Sequence, residues 1–345
     1  MTTRQIFCTL NELDADLELN GSEREDKVWA KIKAASDFLL KEIGHFIPVT
    51  IAWTIKGSGE ERLYLPGGLL SVTSIVNDGT TLTASDYMLM PSQRAWPNGP
   101  YTWLDVAEDA TNLSEWCEDK DGVVITGPWG LFTLTEDTGA DVGTGGQTNS
   151  ATSLLTTNGA KFSPGAVLLI GTEQELVTAT GDPSDSTANL GAAITDEHDY
   201  IITLDDASKI NIGEIIRIDL EQMKVRDRNT STNQLYLERG WNKTLKATHS
   251  NSADVYVYRT FTVERGVNGT TAASHNAAVD ISRQVVPDDI NFLCRQIAGK
   301  MLKMAQSGFA GRIGDISTGE AIYQFAIPRD ELERIKRNYM IHTAG

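Results

Sequence analysis

Gly165 to Val177 reads GAVLLIGTEQELV, and Gly213 to Val225, 48 residues on, reads GEIIRIDLEQMKV. A glycine, a short apolar run, a turn and then E-Q-x-x-V recur in the same places, so the middle of the chain carries a duplicated module. A second echo follows at an offset of 26. Leu237 to Val255, LERGWNKTLKATHSNSADV, is matched by Val263 to Ile281, VERGVNGTTAASHNAAVDI, with eight of nineteen positions identical. A repeat of short strands explains roughly 130 residues by architecture and needs no active site. The two ends of the chain are then left to carry the function.

Working outward, the repeats run to about Arg283 in short stretches of Ile, Val, Leu, Thr and Tyr separated by turn residues, which predicts an all-β insert. On its N-terminal side Thr138 to Ser153, TGADVGTGGQTNSATS, has the composition of a flexible boundary, and a domain border is expected there. Further back, Ser22 and Glu25 make a capping box. Val28, Ile32, Ala35, Leu39 and Ile43 then recur at helical steps until Gly44, which predicts a helix over 23–43. Short alternating runs at 51–55, 62–66 and 69–76, a strand around Tyr87 and another over 122–132 predict a small antiparallel sheet, with Asn77-Asp78-Gly79 as a turn. Beyond the repeats, Pro287, Asp288 and Asp289 open a helix whose apolar face is Ile290, Leu293, Ile297 and Met301, and Gly308 stops it. Pro328 starts a last short helix through Tyr339. The expected fold is α+β: a connected body from 1–134 and 285–345, with a tail at 309–345, and an inserted all-β repeat domain at 135–284. Exposed loops tolerate such insertions.

The chain has 345 residues, enough for two or three domains that bury their own cores. No apolar run approaches the ~20 residues of a membrane span, and the opening MTTRQIFCTLNELDAD does not read as a secretory signal, so no membrane is expected. Cys8, Cys117 and Cys294 are odd in number and scattered, which suits a reduced compartment. The net charge of -17 disfavours sequence-specific DNA binding, because counterion release needs a basic patch. From Arg295 onward eight Lys or Arg face five Asp or Glu, so the tail is the basic piece of an acidic chain.

Catalytic strings are absent: no phosphate loop, no dinucleotide fingerprint, no nucleophile elbow and no H-E-x-x-H. No catalytic residue, cofactor or metal is expected, and the chain is not read as an enzyme. His249 and His275 hold equivalent repeat positions, which predicts a structural task such as tying a turn through ring-to-backbone hydrogen bonds. Arg239 and Arg265 sit beside Glu238 and Glu264. Alternation along a strand sends such neighbours to opposite faces, so a glycine-ended strand with a polar turn is expected in place of a ligand pocket. Asn242 and Asn268 match glycosylation sequons but read as turn residues. Asp121, Asp182 and Asp185 lack the spacing of a calcium loop.

The terminal parts resemble the head-to-tail connector, or adaptor, proteins of tailed bacteriophages. The resemblance rests on KAASDFLLKEIGHFIP, RLYLPGGLLSVTSIVNDGTTLTASDYMLMP, VVITGPWG, VPDDINFLCRQIAGKML and GRIGDISTGE, in that order, over about 170 of the 345 residues. It implies a homo-oligomeric ring of about twelve subunits beneath the portal protein. It also implies viral DNA passing through the lumen without sequence-specific contacts, and a stopper or tail-completion protein attached below. The location implied is the neck of the virion, with the host cytoplasm during assembly. Family members pass quickly from the V-x-G-x-W-G strand to the P-x-D-I helix, whereas here about 155 residues intervene. The insert therefore inherits no role from the family.

By the same resemblance the basic tail docks on the portal. Its candidate residues are Arg312, Arg329, Arg334, Lys336 and Arg337, with Tyr323, Phe325, Ile335 and Tyr339 as apolar anchors. Deleting Arg329 to Gly345 is then expected to leave a folded protein that no longer binds filled heads. The competing expectation is a virion binding module, in which repeats carrying Trp241, Tyr256 and Tyr258 recognise a capsid protein, a fibre or a host-surface ligand.

Overall fold

The computed structural model describes residues 4–17, 25–92, 100–131, 133–306, 312–313, 323–324 and 328–339. Among these, four α-helices stand beside three large antiparallel sheets, an α+β architecture.

The helices are α1 (Leu10–Leu17), α2 (Glu25–Ile43), α3 (Asp288–Gln306) and α4 (Arg329–Tyr339). In α2 the buried stripe is Val28, Ile32, Ala35, Leu39 and Ile43, so three- and four-residue spacing has put one apolar face inward. It meets Ile290, Leu293 and Ile297 of α3 in a single core cluster that also takes in Phe7, Leu13 and Phe46. Pro287 lies just ahead of α3, and its carbonyl accepts the amides of Ile290 and Asn291. In α4, Leu332 and Ile335 belong to the same cluster.

A seven-stranded sheet with an apolar core of its own is made of β1 (Val49–Ile55), β2 (Arg62–Leu69), β3 (Ser74–Asn77), β4 (Thr80–Thr81), β5 (Tyr87–Met90), β6 (Tyr101–Val106) and β7 (Val123–Trp129). The strand order is β4-β3-β7-β2-β6-β5, with β1 also paired to β7. Asp78 and Gly79 both have positive φ, as a type I′ hairpin requires, so the N-D-G signal makes the β3–β4 turn. The expected single strand over 69–76 is divided, because the chain leaves β2 at Leu69 and enters β3 at Ser74. Gly127 explains the break: a Cβ there would lie 2.3 Å from the carbonyl oxygen of Ser71. Asp86 is fully buried, and its carboxylate accepts the amides of Thr83, Thr111 and Asn112, binding the loop that follows β6 to the start of β5.

The repeats form two curled six-stranded sheets, each a half-barrel round its own apolar core. The proximal one contains β8 (Thr135–Asp141), β9 (Ser153–Leu155), β10 (Val167–Ile170), β11 (Glu173–Thr180), β18 (Thr260–Glu264) and β19 (Asp280–Gln284). The distal one contains β12 (Ser184–Asn189), β13 (Ile201–Thr203), β14 (Ile215–Ile218), β15 (Glu221–Asn229), β16 (Gln234–Arg239) and β17 (Asp254–Val257). Their strand orders, β8-β19-β10-β11-β18-β9 and β12-β17-β14-β15-β16-β13, are the same topology. In each, one bridge ties the two edges together, Val142 to Thr156 and Leu190 to Leu204.

One half-barrel is nested inside the other. In the distal copy β15 and β16 are joined by a short turn, whereas the equivalent β11 and β18 are separated by the whole distal copy. This order explains why the first half of the repeat recurs at an offset of 48 and the second at 26.

The stretch 138–153 is not a tether. Thr138 donates from Oγ1 to the carbonyl of Ile281 at 2.6 Å, and Ala140 and Val142 are buried in the proximal core. Its Gly, Ser and Thr content serves a bulge opposite Ile281 and Ser282 and a turn in which Gly145 and Gly146 have positive φ.

Candidate functional site

The repeated strings converge on two buried ion clusters, one per half-barrel. In the distal cluster Arg239 forks onto Glu221, with Nε to Oε1 at 2.7 Å and Nη2 to Oε2 at 2.6 Å. The amides of Gly240 and Ala247 donate to the same carboxylate at 3.1 and 3.0 Å, and Nε2 of His249 lies 3.0 Å from it. In the proximal cluster Arg265 forks onto Glu173 at 2.8 Å on both sides, joined by the amides of Gly266 and Ala273 and by His275 Nε2 at 2.9 Å. Both carboxylates are fully buried. Burial alone would raise their pKa, but the bonds from arginine, histidine and backbone outweigh it, so Glu173 and Glu221 lie below the usual carboxylate range.

Arg239 and Arg265 thus pair with the glutamate of the E-Q string on the neighbouring strand and not with the glutamate beside them. Glu238 faces Arg226 and Glu264 faces Arg4, both at the surface. The histidines close turns, as expected, but through carboxylates: His249 also sets Nδ1 2.7 Å from Asp219. Ring-to-backbone bonding gives way because the nearest backbone amides are already taken by the glutamate.

Glu173, Glu175 and His275 are grouped closely enough for a cation, but the donor set argues for an ion network. Every oxygen of Glu173 is occupied, and the Arg265 guanidinium, 3.0 Å from Glu175, already supplies the positive charge. In the distal copy Met223 replaces Glu175 and the rest of the network survives intact. Burial, partly opposed by Arg265 and Gln147, pushes the Glu175 pKa up to about 7. Cys8 and Cys294 meet in the helical core with their sulfurs 3.4 Å apart; that contact and burial push the Cys8 thiol far up, the opposite of an activated nucleophile.

A cleft of about 460 Å³ opens where α1, α2 and the two half-barrels meet. Phe162, Phe261, Tyr258 and Trp241 supply aromatic walls, and Asp14, Glu25, Asp182 and Lys224 supply charge. Lys224 places its ammonium 4.4 Å from the Trp241 ring centre. Burial and Arg226 lower the Lys224 pKa, while burial and Asp14 raise that of Glu25. The sequence offered Trp241 and Tyr258 as separate aromatics; only the nesting brings them to one cleft. Asp182 borders that cleft, Asp185 caps the amide of Thr187 on β12, and Asp121 precedes β7 in the body, so the three do not assemble. Asn242 and Asn268 are turn residues with φ of 53° and 55°.

Of the tail candidates, Arg312 and Tyr323 lie in two short paired strands, β20 (Arg312–Ile313) and β21 (Tyr323–Gln324). Phe325 lies outside the described residues. Ile335 is fully buried in the body's own core, and Tyr339 packs edge-on against Phe46 at 5.2 Å while its hydroxyl reaches Asp289 at 3.0 Å. Both anchors are therefore engaged within the chain, because α4 is amphipathic and its apolar side finds α2 and α3. Lys336 pairs with Glu42 of α2. Arg329, Arg334 and Arg337 remain on the exposed side of the helix.

Among the described residues no helix is long and apolar enough to cross a membrane. No protein-family model matches the chain, and neither the curated proteins nor the solved structures hold a match to it.

Proposed function

We propose that the chain is a structural virion protein, a head-to-tail connector that binds beneath the portal as a ring, extends the DNA channel and offers a platform to the next neck or tail protein. The observation that carries the reading is where the resembling segments fold. KAASDFLLKEI and DDINFLCRQIAGKML lie in α2 and α3, which share one apolar core despite the insertion between them, while RLYLPGGL, DYMLM and VVITGPW lie in β2, at β5 and in β7 of one sheet. The net charge of -17 supports a channel that lets DNA slide, since like charge prevents adhesion while salt screens the repulsion beyond roughly 8–10 Å. Docking on the portal falls to the exposed arginines of α4, with Ile335 and Tyr339 holding that helix in place. The chain works in this reading without catalysis.

The test is the mass of the purified chain, alone and mixed with portal rings, by light scattering coupled to size exclusion. Co-elution at about one chain per portal subunit is expected. A monomer that ignores the portal refutes the reading.

A second reading, a binding module displayed on the virion, is favoured by the distal half-barrel. Leu220 and Leu245 are each 88% exposed and Tyr200 62%, all on loops anchored to the Glu221 cluster. Their proximal counterparts to the two leucines, Thr172 and Thr271, are polar.

A further inference from the structure

Two copies of one fold allow a face in use to identify the same face left open. The distal residues that border the cleft are Gly213, Ile215, Gln222, Lys224, Trp241 and Asn242, all partly exposed. Their counterparts at the repeat offsets are Gly165, Val167, Gln174, Leu176, Val267 and Asn268, all buried. Val167, Leu176 and Val267 belong to the core cluster of the helical body. The face that joins the proximal half-barrel to the body is thus the one the distal half-barrel turns toward the cleft.

The proximal face is covered in part by the chain over residues 4–9 and in part by Pro48 and the helical core. Residues 4–9 run across it without helix or strand structure. Asn268 accepts the amide of Arg4 on Oδ1 at 2.7 Å, and Gln174 donates from Nε2 to the carbonyl of Pro48 at 3.0 Å. The two side chains are locked together by Asn268 Nδ2 donating to Gln174 Oε1 at 2.9 Å. The amide pair therefore offers a donor to a separate segment at Pro48 and an acceptor to the backbone at Arg4. Gly165 lets that main chain come close: a Cβ there would lie 2.7 Å from the carbonyl oxygen of Cys8. The distal copy keeps the lock, with Asn242 Nδ2 to Gln222 Oε1 at 2.7 Å, on the same left-handed turn. Part of the distal face is taken by the proximal half-barrel itself, since Gly213 approaches Ala160 and Glu214 accepts the amide of Gly159. The remainder, around Gln222, Lys224, Trp241 and Asn242, borders the open cleft.

We propose that this face of the distal half-barrel binds an extended segment of a partner protein, with Asn242 accepting a main-chain amide as Asn268 accepts that of Arg4. Charge selects the segment. Among the described residues Glu25 and Asp182 border the cleft with Lys224 as its one basic side chain, and on the proximal side Glu264 pairs with Arg4. The segment therefore carries an arginine or lysine, and Trp241 packs on its apolar side chains. The proposal goes beyond the connector reading and holds whether or not the chain forms a ring.

The probe is a fluorescein-labelled peptide copying residues 2–11 with serine in place of Cys8, titrated with the full-length chain by fluorescence anisotropy. Saturable binding is expected. Asn242→Gly, which removes the amide and keeps the left-handed turn, and Trp241→Ala are each expected to weaken it about tenfold, the loss of one good polar or aromatic contact. Replacing the peptide's arginine by glutamate weakens it as well, while Met88→Ala, at an exposed position on β5 of the seven-stranded sheet, leaves it unchanged. Absence of saturation at about 1 mM peptide overturns the proposal. So does undiminished binding by both cleft variants with unaltered circular dichroism, or an inert peptide beside a neutral oligosaccharide that binds and protects Trp241. Portal co-elution is measured separately, so failure of one reading leaves the other standing.

Discussion

Glu173 and Glu221 each gather an arginine, a histidine and two backbone amides, so each closes three loop segments onto one buried point. Removing one member of such a set strands a desolvated charge. Arg239→Ala is expected to destabilise the distal half-barrel by about 3–5 kcal/mol, read as a fall in its urea midpoint. Glu175 works in the opposite sense. Its folded pKa of about 7 exceeds the ordinary 4.5, so between these values the folded chain holds a proton that the unfolded chain has released. Stability therefore falls as pH rises through that window and is level outside it. Glu175→Met, which copies the distal residue, should raise the melting temperature at pH 8 more than at pH 4.5. A tenfold change in proton affinity is worth about 1.4 kcal/mol, so the gain reaches a few kcal/mol at most; equal gains at both pH values would show that Glu175 is ionised throughout. In the sequence the E-R-G-x-N-x-T and H positions are visible as a recurring set, but the neighbour that adjacency suggests for each arginine is the wrong glutamate. The true partner lies 18 residues away in one copy and 92 in the other, and what marks it is that E-Q recurs with the same set.

At the scale of elements, α2 and α3 are legible because their apolar positions repeat at helical spacing and their ends carry caps, a proline or glycine. The I′ turn at Asp78-Gly79 is legible for the same local reason. Less visible are α1, only eight residues long, and β6, whose burial pattern does not alternate. The stretch 138–153 reads as a linker because bulges and tight turns use the same small residues. The last helix shows how packing changes a prediction. With Leu332 and Ile335 inside the core, deleting Arg329 to Gly345 uncovers that core. Lost binding after truncation would then report unfolding as readily as docking. Changing Arg329, Arg334 and Arg337 together to glutamate tests docking cleanly: circular dichroism and melting should hold while portal co-elution is lost. Retained co-elution would move the docking surface elsewhere.

For the whole molecule, the nesting is the fact that organises the rest. Two offsets, 48 and then 26, state it in the sequence, because only a copy placed inside its twin shortens the second distance. Each echo read singly hides it, since alone it is only a repeat of its own. The distal half-barrel enters at β12 and leaves from β17, which pair side by side, Ser184 with Val257, so its two ends are adjacent. Replacing residues 182–258 by the turn that joins β15 to β16 should leave body and proximal half-barrel folded, with an unchanged helical signal; loss of the helical melt would show that the outer units depend on the inner one. Residues 4–9 and α4, on either side of the insertion, both belong to the body, and this sets an order for mechanical load. Tension applied at the two ends of the chain reaches the proximal half-barrel only after the body yields, and reaches the distal one only after the pairing of β11 with β18 has parted. In an optical trap the rips should come in that sequence, innermost last, each set by its own unfolding rate. The proposed segment-binding face of the distal half-barrel would thus be the part of the molecule most sheltered from force.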